Sequence, residues 1–241
     1  MNANKQKYRH EIKYLVSQAQ ISLLENRIKC LMFRDPHTES DGIYNIRSLY
    51  FDDYDNSCFY ENENGTDPRE KFRIRIYNHS DKRISLECKR KIRGKTQKDS
   101  CILSLQEAQE LIQGKTLLPT ESMPMLLRRF LIEMKIRYFR PAVIVEYERI
   151  PYIYKNGNVR VTFDTKISSS SNINEFFDDV ISKRPIMPLG QHLMEVKFDE
   201  YLPDFIYRSL NLGKLQQTTY SKYYLCRKYA LNKGEINNVF L

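Results

Sequence analysis

The segment Lys71-Phe72-Arg73-Ile74-Arg75-Ile76-Tyr77 alternates charged and apolar side chains one by one. Only an extended strand separates the two sets cleanly, because successive side chains point to opposite faces. Asn78 to Asp81 reads as a hairpin turn, and Arg83 to Lys91 as the returning strand. That strand carries Glu87, Lys89 and Lys91 on one face and Ile84, Leu86 and Cys88 on the other. Strands so amphipathic argue against a doubly wound parallel sheet, whose strands are buried on both faces.

The charge of the chain is concentrated on the same hairpin. Between Arg69 and Lys98 there are twelve basic and three acidic residues, an excess equal to the net +9 of all 241 residues. Elsewhere the chain is close to neutral. Lys71, Arg73, Arg75, Lys89 and Lys91 repel one another unless an anion lies among them or water screens them. Guanidinium forks match pairs of phosphate oxygens, and ammonium groups act as mobile point charges. A linear phosphate chain has a charge at every repeat, matching cations two residues apart. A solvated edge hairpin accounts for the same run with no ligand.

Further strands are expected at Tyr8–Val16, Tyr44–Asp53, Ala142–Ile150, Val159–Ile167 and Leu193–Asp199. Asn156-Gly157-Asn158 marks a hairpin turn. Helices are expected after Ser17, with Ile21, Leu24, Ile28 and Leu31 as the apolar stripe, and over Leu105–Ile112, Met123–Ile136, Pro203–Leu210 and Thr219–Tyr229. Residues 55–67 read as a short helix or loop, and Asn172–Lys183 stays unassigned. The length suits one domain over residues 1–241, with a C-terminal helical segment at about 203–230 packed on it. An α+β fold follows, its antiparallel sheet closed around a polar interior and covered outside by helices. An open sheet with one solvated face satisfies the same alternation.

Acidic residues recur on these strands: Glu11 between Arg9 and Lys13, Glu87 beside Lys89, Glu146, Glu148, and Glu195 beside Lys197. Carboxylates repel phosphate unless a divalent ion bridges the two. Ion pairs within the sheet explain the same residues without a metal.

Five scattered cysteines and four histidines show no zinc-ligand spacing. The odd cysteine count and the polar opening Met1 to Lys7 suggest reduced thiols in a cytoplasmic protein. No apolar run approaches the roughly eighteen residues of a membrane span, so any membrane role needs a partner protein to do the spanning. Eight glycines form no phosphate-binding loop. No nucleic-acid motif accompanies the positive charge, so no specific nucleic-acid partner is expected.

The chain carries, in order, Arg9-His10-Glu11-Ile12-Lys13-Tyr14, Arg47-Ser48-Leu49-Tyr50-Phe51-Asp52, Lys71-Phe72-Arg73-Ile74-Arg75 and Leu86-Glu87-Cys88-Lys89. Then come Glu146-Tyr147-Glu148-Arg149, Arg160-Val161-Thr162-Phe163-Asp164, Glu195-Val196-Lys197 and Ser221-Lys222-Tyr223. From about Tyr8 to Tyr229 this series resembles the VTC domain, a polyphosphate polymerase domain, in its stand-alone bacterial form. The wider group is the triphosphate tunnel metalloenzymes, which include CYTH-type adenylate cyclases and triphosphatases.

The resemblance implies a closed eight-stranded β-tunnel. It implies Lys13, Arg73, Arg75, Lys89, Arg149, Arg160, Lys197 and Lys222 as phosphate ligands or lining, beside the hairpin's Lys71 and Lys91. It further implies Glu195, helped by Glu11, as ligand for Mn2+ or Mg2+. The implied reaction moves the terminal phosphoryl group of ATP to a polyphosphate chain and releases ADP. Tripolyphosphate or nucleoside triphosphate hydrolysis, or polyphosphate binding without turnover, remain as alternatives. The CYTH pattern Glu-x-Glu-x-Lys has Arg9 at its first position here, which favours the VTC type over a cyclase or two-metal triphosphatase.

Overall fold

The computed structural model describes residues 8–115 and 117–232; the polar opening Met1 to Lys7 lies outside them. In chain order the elements are β1 (His10–Ser17), α1 (Gln18–Ile28), β2 (Phe33–Arg34), β3 (Tyr44–Asp52), α2 (Ser57–Glu63), β4 (Arg69–Tyr77), β5 (Ser80–Ile92) and β6 (Lys95–Leu103). They continue with α3 (Leu105–Ile112), α4 (Met125–Ile136), β7 (Arg140–Tyr154), β8 (Val159–Ser170), β9 (Arg184–Pro185), β10 (Gln191–Phe198), α5 (Asp204–Ser209), β11 (Gln217–Thr218) and α6 (Lys222–Asn232).

Local chemistry sets several boundaries. Ser17 and Gln20 cap α1 reciprocally, side chain to backbone at 3.2 and 2.8 Å, satisfying donors that a helix start leaves unpaired. Ser104 and Glu107 do the same for α3. Between β7 and β8, Gly157 holds φ +73, and an added Cβ there would lie 2.7 Å from the Tyr201 carbonyl oxygen. Leu31, expected on the stripe of α1, falls beyond the helix end and is exposed.

All strands join one antiparallel sheet in the order β11-β1-β10-β8-β7-β3-β4-β5-β6, with β2 on β7 and β9 on β8. Its apolar face is covered in two parts. Ile21, Leu24 and Ile28 of α1 pack with Ile206 of α5 on Val161, Phe163, Met194 and Val196. Leu127, Phe130, Leu131 and Met134 of α4 pack with Ala108 and Leu111 of α3 on Phe51, Phe72, Ile74 and Leu86.

The expected closure into an eight-stranded tunnel is not what forms. Among the described residues the sheet has eleven strands and two ends, and no ladder joins β6 to β1. The edge of β1 is taken at Lys13 and Tyr14 by β11. In the backbone, an isolated bridge links the ends between Arg9 and Thr96, with hydrogen bonds of 2.9 and 3.0 Å. The fold is therefore mixed α and β around one large, curled antiparallel sheet. Its ends are held by side chains: the Lys89 ammonium on β5 meets both Glu11 carboxylate oxygens on β1 at 2.8 Å.

Candidate functional site

The concave face of this sheet is charged. Alternation along β1, β4, β5, β8 and β10 sends one set of side chains to the helices and the other to this face. Thus Val161 and Phe163 enter the apolar core, while Arg160, Thr162 and Asp164 face the other way.

Three carboxylates form the centre. Asp164, fully buried, accepts two hydrogen bonds from the Arg149 guanidinium at 2.6 and 2.7 Å, and the Lys222 ammonium lies 2.6 Å away. Glu195 accepts from Lys197 at 2.8 Å and from Lys222 at 2.9 Å, with Arg149 at 3.4 Å and Lys13 at 3.8 Å. Glu11 is held by Lys89, with Lys13 at 3.3 Å and Lys197 at 3.9 Å. Next to them Glu87 accepts from Arg73 at 2.8 and 2.6 Å and from Lys98 at 3.0 Å, with Arg75 at 3.6 Å.

Burial alone would protonate these acids, but the cations prevail. Burial raises the Glu11 pKa, and Lys89, Lys197 and Lys13 more than reverse it, leaving the carboxyl far below its usual range. Glu195 is likewise pushed well down against burial, by Lys197, Lys222 and Lys13, and Glu87 by Arg73, Arg75 and Lys98. Lys222 shows the converse: burial disfavours its charge, yet Asp164 and Glu195 raise its pKa. The acids are therefore ionised at neutral pH, and the charges must be balanced as they stand.

They do not balance. Lys13, Lys89, Arg149, Lys197 and Lys222 surround three carboxylates, and Arg73, Arg75 and Lys98 surround one. Lys71 has no carboxylate partner among the described residues: it donates to Asn62 at 2.9 Å and sits 4.7 Å over the Tyr223 ring. Burial lowers its pKa to about 7, opposed by Cys58 and assisted by repulsion from Arg69, Lys89 and Lys13. Lys89 falls to about 8, because burial and its basic neighbours outweigh Glu11. Lys91 makes no hydrogen bond or ion pair among the described residues, and burial followed by Arg69 and Lys13 lowers its pKa. The face holds an excess of basic groups, and Lys71, lowered to about 7, is close to half protonated at neutral pH, so a bound anion draws it towards its charged form.

The structure thus brings Lys13, Lys89, Arg149, Lys197, Lys222, Glu11 and Glu195 into one network, with Arg73 and Arg75 joined through Glu87. Arg160 stands apart, donating to Asp35 and the Tyr44 hydroxyl, both at 2.6 Å. Glu146 and Glu148 lie on the opposite side of β7 from Arg149. Glu146 is buried against Arg47 at 2.6 Å, and Glu148 pairs with the exposed Lys166. Asp164 was not among the expected site residues, although it lies four positions after Arg160 and so on the same strand face. Aromatics also enter the site. Tyr50 accepts from Arg73 at 2.8 Å, and Lys222 and Arg149 lie 4.7 and 5.2 Å from the Tyr147 ring centre.

Among the described residues, no three His, Cys, Asp or Glu side chains converge as a metal cage. Hard divalent cations commonly take one or two carboxylates and complete their shell with phosphate oxygens and water. Glu195 and Glu11, which both face Lys13, fit that role together with a bound phosphate chain. No helix among the described residues is long and apolar enough to cross a membrane.

The VTC domain profile matches residues 8–231. Curated proteins provide no match. Among solved structures, a Hippeastrum protein described as a candidate adenylyl cyclase with a dominant triphosphatase activity superposes with a TM-score of 0.54 at 14% identity, over 92% of this chain and 96% of its own. A protein of Bacillus halodurans described as a candidate adenylate cyclase gives 0.50 at 16% identity, over 88% of this chain and 95% of its own. Likeness at that identity speaks for the fold alone. With the profile spanning nearly every described residue, the chain belongs to the VTC domain family.

Proposed function

We propose that this chain is a polyphosphate polymerase that transfers the terminal phosphoryl group of ATP to a polyphosphate chain. The observation that carries this reading is the excess of cations over carboxylates on a concave, partly enclosed face. Family membership supports that substrate class, and we assign Mn2+ or Mg2+ to Glu195 and Glu11.

In the proposed reaction, a terminal oxygen of the polyphosphate chain forms a bond to the γ-phosphorus of ATP. The bond from that phosphorus to the β–γ bridging oxygen breaks, and ADP leaves with the electron pair. The substrate is its own nucleophile, so no side chain has to attack. Arg73, Arg75 and Arg149 are anchored by Glu87 and Asp164 and stay in place to bind phosphate oxygens. Lys13, Lys89 and Lys197 share Glu11 and Glu195, and exchange those carboxylates for phosphate when substrate enters. A divalent metal, when bound, neutralises phosphate charge and turns a repelling carboxylate into a ligand. Alignment and charge neutralisation account for catalysis of this type.

The same cations would serve hydrolysis if water attacked, the activity described for the Hippeastrum protein. Incubation with ATP and manganese, with products separated by size, distinguishes the two. Long phosphate chains with equivalent ADP support the polymerase; inorganic phosphate without chains overturns it.

A further inference from the structure

We infer that Thr162 is a direct ligand contact, its hydroxyl donating a hydrogen bond to an oxygen of the phosphate chain on the basic face. This rests on the polyphosphate reading and adds a residue that neither charge nor the ion-pair network selects.

Thr162 lies in the middle of β8 between Arg160 and Asp164, both on the basic face, while Val161 and Phe163 are in the apolar core. It stands opposite Glu195 of β10 and Pro151 of β7. The residue is fully buried, and its Oγ1 has no hydrogen-bond partner among the described residues. Buried hydroxyls are nearly always bonded, because the lost water has to be replaced. The neighbouring acceptors are taken: Lys197 and Lys222 hold Glu195, and Arg149 and Lys222 hold Asp164. The Nε of Arg160, on the same face, is also buried without a partner. Two unanswered donors flanked by cations match a ligand composed of anionic acceptors. A phosphate chain has that chemistry.

The hydroxyl does nothing visible for the fold. Valine has the same shape and suits a strand at least as well, so a merely structural residue here could be apolar. Ligand contact and fold maintenance therefore predict opposite results for Thr162→Val.

The test is calorimetric titration of tripolyphosphate, with metal chelated, into wild type, Thr162→Val and Thr162→Ser, alongside thermal unfolding of each free protein. Thr162→Val is expected to unfold at the same or a higher temperature, yet to bind about tenfold or more weakly, the size of one charge-assisted hydrogen bond. Thr162→Ser keeps the donor and should recover most of the affinity. Wild-type affinity in Thr162→Val would mean the hydroxyl meets only water and would overturn the inference. Parallel loss of stability and affinity would overturn it in favour of a structural role. Absence of binding by wild type itself would remove the polyphosphate reading and this contact together.

Discussion

Asp164→Asn is expected to destabilise the free protein by about 3–5 kcal/mol, because it leaves buried cations short of a counter-charge. Asp164 has no exposure, and it holds Arg149 through two hydrogen bonds and Lys222 through a third contact. Asparagine keeps the shape and one acceptor but removes the charge, and Glu195 alone then faces both cations. For a chain of this size the loss corresponds to roughly a 10 °C fall in melting temperature. Urea unfolding followed by circular dichroism reads it directly. Glu148→Gln is the control, since its partner Lys166 is largely exposed and such pairs contribute about 0–1 kcal/mol. Equal stability of the two variants would show that the buried network does not hold the sheet.

Glu195→Gln should separate two roles of one carboxylate. In the free protein it is the shared partner of Lys197, Lys222, Arg149 and Lys13. It also stands where a phosphate chain would meet a repelling charge. With metal chelated, the variant should bind tripolyphosphate more tightly, by about tenfold if one ion-pair competitor of roughly 1.4 kcal/mol has gone. In the presence of manganese its phosphoryl transfer should fall sharply, because the assigned ligand is missing. Wild-type rate and wild-type manganese dependence would shift the metal assignment to Glu11.

The strands bearing the site were legible because each is apolar on one face and charged on the other. That pattern located Lys71 to Tyr77, Arg83 to Lys91 and Leu193 to Asp199 within a residue or a few of their observed ends. β6 escaped notice, since Lys95-Thr96-Gln97-Lys98-Asp99-Ser100 has no apolar face and is kept extended by its ladder with β5. Its Lys98 therefore went unassigned, although it completes the cation set around Glu87.

Closure of the sheet could not be read either. Alternation fixes which face a side chain takes but not which edges meet, and here a two-residue strand far along the chain, Gln217–Thr218, pairs with β1. Both readings of the acidic residues had a basis. Glu146 and Glu148 are structural ion pairs, whereas Glu11 and Glu195 lie among the excess cations.

The central claim is that a phosphate chain binds on the concave basic face. Lysine acylation at pH 8 with and without tripolyphosphate, mapped by mass spectrometry, locates the site most directly. Lys71 and Lys89, lowered to about 7 and about 8, are substantially neutral at that pH and open to acylation. Bound phosphate should restore their protons and cover them. Protection is therefore predicted at Lys71, Lys89 and Lys91, with the exposed Lys166 and Lys214 unchanged. Unchanged modification of Lys71 and Lys89 at saturating tripolyphosphate, or protection confined to Lys166 and Lys214, would contradict the account.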